Sequence, residues 1–151
     1  MGTLLRETPR NKSQWISLHD KVMSEIVIEA DSVQFCFRDG FDLIDDGQLK
    51  TLTDGTMVIN GCSEDDINCY IIESVASERG LRFQGREFRL NELATLLRQE
   101  HAAIEVYKEI YDENTIHLRG EWLPYGQYRH WKSVVIETAG WFPIRYGWDE
   151  Q

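Results

Sequence analysis

Apolar and polar residues alternate along this chain with a period that changes several times, and those changes predict its elements. Val22, Ser24, Ile26 and Ile28 alternate with Met23, Glu25, Val27 and Glu29. That period of two predicts a strand. After a turn-like break over Glu29 to Ser32, Val33, Phe35 and Phe37 alternate with Gln34, Cys36 and Arg38. The two runs predict an antiparallel hairpin with one face towards the core. Trp15, Leu18, Val22 and Met23 also fit a helical spacing, so a short helix over residues 13–23 competes with the strand.

Gly40, Gly47, Gly55 and Gly61 punctuate the next region and mark turns or bends. The run Thr56 to Ile59 predicts a short strand leading into a tight turn at Asn60-Gly61, where the turn needs positive φ angles. Ile67 to Val75 predicts a further strand, and Leu81 to Leu90 a small hairpin around Gln84-Gly85. Asn91 is placed as the N-cap of a helix over about 91–101. Leu93, Leu96 and Leu97 share one face of it, with Glu92 in the first turn and Arg98 near the last, as the helix dipole favours. From Ala103 the period returns to two. Ile104 to Tyr111 and Ile116 to Trp122 flank Asp112-Glu113-Asn114 and predict a second hairpin. Trp131 to Thr138 adds a strand, and Trp141 to Trp148 an edge strand on which Pro143 is tolerable. Strands, one helix and strands again, without βαβ alternation, predict an α+β fold of antiparallel hairpins. Residues 1–14, polar and containing Pro9, are expected as a loose arm, and 15–151 as a single domain.

Composition narrows the classes of function. The 151 residues are 42% hydrophobic and 11% aromatic, enough for a core without disulfide support. The three cysteines, Cys36, Cys62 and Cys69, are odd in number and scattered, which suggests reduced thiols in a cytoplasmic setting. The opening MGTLLRETPRNKSQW carries only a two-residue apolar run, far short of a signal segment, and no apolar stretch is long enough for a membrane span. Net charge is −10, and most of the imbalance lies between Asp39 and Glu73, where Lys50 faces nine acids. Such a surface repels nucleic acid and attracts a basic protein partner.

Each candidate for chemistry meets a structural alternative. His19-Asp20 suggests a metal-dependent phosphohydrolase pair, but a metal needs several converging ligands, and His101, His117 and His130 have no adjacent Asp. A hydrogen bond from Asp20 or His19 to the backbone at the start of the strand is the simpler expectation. The segment DGFDLIDDGQLKT suggests a calcium loop, yet counting from Asp42 puts Ile44 at the third position and Thr53 at the twelfth, where oxygen ligands are required. A solvated acidic turn explains it better. Cys62 and Cys69 have neither redox nor zinc spacing. Cys36 and Cys69 are expected as buried residues in strands, and Cys62, after a turn, as exposed. No nucleophile elbow, phosphate-cradling glycine loop or dinucleotide fingerprint is present, so neither a cofactor nor a catalytic residue is assigned.

The least ordinary feature is aromatic. Eight of the 17 aromatics lie between Glu121 and Glu150. Tyr125, Tyr128, Arg129 and Trp131 have the composition of an interaction hot spot and are assigned, with Asp42, Asp45 and Asp46, to a binding surface. Core packing is the alternative for these rings.

Leu18-His19-Asp20, Ile26, Ile28, Phe35, Phe37 and Asp39-Gly40-Phe41 carry a resemblance across 24 residues. The segment resembles small bacterial proteins of unknown function that open with a Leu-His-Asp phrase followed by two apolar strands. Some proteins of that look are immunity partners of bacterial toxins, and the resemblance implies such a role without any catalytic residue. The expectation is therefore a non-enzymatic cytoplasmic bacterial protein that binds a macromolecule, an immunity-type inhibitor of a basic partner being its concrete form. Two rivals remain. One is a small-molecule binder or enzyme with an aromatic-lined cleft and polar groups among His117, Arg119, His130 and Glu137; the other is a homo-oligomer.

Overall fold

The computed structural model describes residues 2–124 and 131–149. Its strands are β1 (Gly2–Arg6), β2 (Gln14–Ser17), β3 (Val22–Met23), β4 (Glu25–Ile28), β5 (Ser32–Phe37), β6 (Phe41–Asp45), β7 (Gln48–Asn60), β8 (Ile67–Ser77) and β9 (Gly80–Phe88). The helix α1 (Leu90–Gln99) follows, then β10 (Ala103–Asp112), β11 (Thr115–Leu123), β12 (Lys132–Thr138) and β13 (Ile144–Asp149). Pairing is antiparallel throughout. The chain is thus α+β and mainly sheet, as its periodicity predicts.

Two sheets share the strands. In one, β1, β13, β7, β5 and β4 lie side by side, and β6 and β2 continue it beside the first half of β7. The long β7 meets β6 through Gln48–Leu52 and β5 through Gly55–Asn60. Gly40 makes the junction between β5 and β6 workable. Its φ is 82°, and a Cβ there would collide with the Leu52 carbonyl. The other sheet runs β3-β10-β11-β12-β8-β9. Alternation decides which side chains face inward: Ile116, Leu118 and Trp122 of β11 are buried, as are Val134 and Ile136 of β12. They share one cluster with Phe35, Phe37, Phe41, Met57 and Tyr146 of the first sheet and with Leu90, Leu93 and Leu97 of α1.

Several expectations need correction. Residues 2–6 are not a loose arm: they form β1, with Leu4 opposite Tyr146 and Arg6 opposite Ile144. Their backbone groups satisfy the free edge of β13, which is therefore not an edge strand. The helix considered over residues 13–23 is absent, since residues 14–17 pair with β6. The strand expected over residues 22–29 divides at Ser24. Val22–Met23 pairs with β10 in one sheet, and Glu25–Ile28 pairs with β5 in the other. No hairpin bends at Gln84-Gly85. Residues 80–88 form one strand along β8, and the reversal lies between Ser77 and Gly80, whose φ is 111°. The helix cap lies two residues earlier than expected, at Arg89 rather than Asn91, with the Glu92 carboxylate accepting the Arg89 amide at 3.1 Å. Hairpins β4–β5 and β10–β11 form as the alternation predicts.

Candidate functional site

The residues assigned to a binding surface do not converge. Tyr125, Tyr128 and Arg129, with His130, lie outside the described residues. Trp131 is half-buried beside the six-stranded sheet. Its amide donates to Ser74 Oγ at 2.9 Å, and its ring meets Phe83 edge to face at 5.9 Å. The aspartates belong to the other sheet. Asp42 on β6 pairs with Lys21 Nζ at 3.1 Å and accepts from Thr51 Oγ1 at 3.2 Å, so its charge is already engaged. Asp45 and Asp46 are exposed at the β6–β7 turn, where Asp46 and Gly47 have φ of 48° and 81°. These paired positive angles are those of a tight hairpin turn. Other acids in the 39–73 stretch also have structural duties. Asp66 accepts the Ser63 amide at 2.9 Å, Glu64 accepts the Asn91 amide at 3.1 Å, and Glu73 pairs with Lys132 at 3.5 Å.

Core packing claims part of the aromatic segment. Trp122, Tyr146 and Trp148 are buried, and Tyr146 and Trp148 pack edge to face against Phe41 at 5.9 and 6.4 Å. Cys62 is buried rather than exposed, and desolvation, assisted by Asp66, pushes its thiol up to about 12. Cys69 is likewise pushed up to about 12 by burial, with a smaller contribution from Glu64. Neither is poised as a nucleophile. His19 and Asp20 stand exposed, 3.5 Å apart at a turn; the His19 amide donates to Ser17 Oγ at 3.3 Å and the Asp20 amide to the Val106 carbonyl at 2.8 Å, and among the described residues neither the imidazole nor the carboxylate bonds the backbone. Among the described residues no three His, Cys, Asp or Glu side chains are grouped to hold a metal. His117 Nδ1 and Glu137 Oε1 meet at 2.8 Å across β11 and β12, on the face turned away from the core. Arg119 lies two residues along that same face.

Two features escaped the sequence reading. The first is β9, an edge strand exposed along nearly its whole length, with Phe83 63% and Leu81 41% exposed. Leu81 and Phe83 point to one face, Arg82 and Arg86 to the other. Its outer backbone edge carries the N–H and C=O groups that a further strand would use. The second is a polar group between the sheets. Glu109 of β10 accepts the Tyr111 hydroxyl at 2.6 Å and the Leu18 amide at 3.0 Å. The Arg6 guanidinium lies over the Tyr111 ring, 3.9 Å from its centroid. The sequence did hold a signal for Arg6, a charge closing the apolar run Leu4-Leu5, but nothing in it named Tyr111 and Glu109 as neighbours.

Among the described residues no helix is long and apolar enough to cross a membrane. Comparison with family models, with curated proteins and with solved structures finds no match to this chain.

Proposed function

We propose that this chain acts by binding another protein, through the open edge of β9 and the aromatic pair Phe83–Trp131 beside it. The observation that carries the reading is the exposure of Phe83 on an edge nine residues long that no other strand among the described residues pairs with. An exposed apolar edge of that length is a hazard unless a partner covers it. An extended segment laid along β9 gains main-chain hydrogen bonds, and Phe83 and Trp131 supply the anchoring area. Arg82 and Arg86 select for acidic side chains on that segment. The acids exposed elsewhere, Asp45 and Asp46 foremost, draw a partner of net positive charge and speed encounter. In its concrete form the partner is a basic toxin and the chain its immunity-type inhibitor in a bacterial cytoplasm, with no catalytic step of its own.

The test uses the full chain as bait in host lysate and then measures binding of the recovered partner. Phe83→Ala keeps the fold, because the ring is mostly solvated, and weakens affinity about tenfold through faster dissociation. Asp45→Asn with Asp46→Asn slows association and flattens its dependence on salt. A lysate that yields no protein at low or moderate salt, or a partner held equally well by all variants, sets the reading aside.

A further inference from the structure

Under the segment joining β1 to β2 lies a cleft of about 210 Å³, closed on one side by Tyr146 of β13. One wall is Arg6, only 9% exposed. Its Nη2 donates to the Pro9 carbonyl at 2.7 Å, but Nε and Nη1 are buried with no hydrogen-bond partner among the described residues. The Tyr146 hydroxyl, beside Tyr111 and Arg6, is buried and makes no hydrogen bond of good geometry among the described residues. Arg10 and Lys12 line the same cleft, as does Glu7, so three cations face one carboxylate in a chain whose net charge is −10.

An internal explanation for the Arg6 charge falls short. Glu109 feels the Arg6 charge, but its oxygens accept from Tyr111 and Leu18 rather than from the guanidinium. The faces of Tyr111 and Trp141, 3.9 and 5.9 Å from the guanidinium carbon, favour the charge and leave the N–H groups unbonded. Burying such donors unpaired is costly, and native interiors seldom do it.

We propose that this cleft binds a small anion with a phosphate or carboxylate group, which accepts from Arg6 Nε and Nη1 and from the Tyr146 hydroxyl. Arg10 and Lys12 supply the remaining positive charge. Burial keeps the Tyr146 phenol protonated at neutral pH, raising it to about 12, so the hydroxyl is available to donate. The volume is below the roughly 300–1,000 Å³ of sites for drug-sized ligands, which points to a compact anion. This site is separate from the β9 edge, and each stands if the other fails.

Calorimetric titration of the full chain with inorganic phosphate and, separately, with succinate tests the proposal and tells the two headgroups apart. Saturable one-site binding of at least one of them is expected. Tyr146→Phe keeps the ring that packs against Phe41 and removes only the hydroxyl, so the variant folds, and its affinity drops roughly tenfold or more. Lys12→Ser, on the exposed rim, weakens binding several-fold at low salt and less at high salt. Absence of saturable binding by both anions, or an affinity unchanged in Tyr146→Phe, overturns the proposal.

Discussion

Glu109 shows how one side chain ties folding to pH. Burial raises its carboxyl above the ordinary value of 4.5, and the Tyr111 hydroxyl, the Leu18 amide and the Arg6 charge offset only part of that rise. The native state therefore holds this proton more tightly than the unfolded chain does. The stability linked to it is full below pH 4.5 and is lost as pH climbs through the folded-state pKa. Glu109→Gln keeps the size of the side chain and removes the titration. Denaturant titrations of both proteins from about pH 4 to about pH 7 should show the variant gaining on the parent as pH rises. A gap that stays constant over that range contradicts this account. Nothing in the sequence marked Glu109: it sits among Lys108, Ile110 and other alternating residues, and only the bulge at Tyr107 turns it inward. Cys62 was misread for a related reason. Its place after Asn60-Gly61 implies exposure, but its side chain lies in the core cluster that the two sheets share.

At the level of elements, the helix end offers a sharper test than its face does. His101 has a φ of 49°, with the Ala102 amide bonded to the Leu97 carbonyl at 2.9 Å and the His101 amide to the Arg98 carbonyl at 3.3 Å. That is the left-handed stop at which glycine is the favoured residue. His101→Gly should raise stability by about 0.5–1 kcal/mol in equilibrium unfolding, because relief of the strained backbone outweighs the added freedom of the unfolded chain. A loss of stability would mean that the imidazole contributes a contact of its own. The helix itself was legible, since three leucines on one face and charges at suitable ends speak locally. β9 was not. Gln84-Gly85 has turn chemistry, but an eleven-residue β8 offers a continuous ladder, and pairing along it overrides the local preference. Gly120 illustrates the same dependence on neighbours. A Cβ there would lie 2.6 Å from the Glu105 carbonyl oxygen, a constraint imposed by β10 and invisible in β11 alone.

For the molecule as a whole, the class of fold could be read and the order of strands could not. Alternation reports that a segment is a strand with one face buried; it does not report which segment lies alongside. The pairings that define the two sheets join distant residues: β3 reaches β10, β8 reaches β12, and Gly2 lies opposite Trp148. Deleting residues 2–6 tests how much the last of these matters. It removes Arg6 from the interior and bares the edge of β13, so the denaturation midpoint should fall and light scattering should show association. An unchanged midpoint with a monodisperse protein would mean that β1 is an accessory. The pairing of β1 with β13 also sets an order of events in the cell. The partner of β1 is synthesised well over a hundred residues after β1 itself. Until then the seven-stranded sheet lacks a member, and the apolar Leu4 and Leu5 wait in a nascent chain. Such distant closure is slow and leaves sticky segments unprotected meanwhile. Holdase chaperones acting during translation should therefore govern the yield of this protein more than its final thermodynamic stability does.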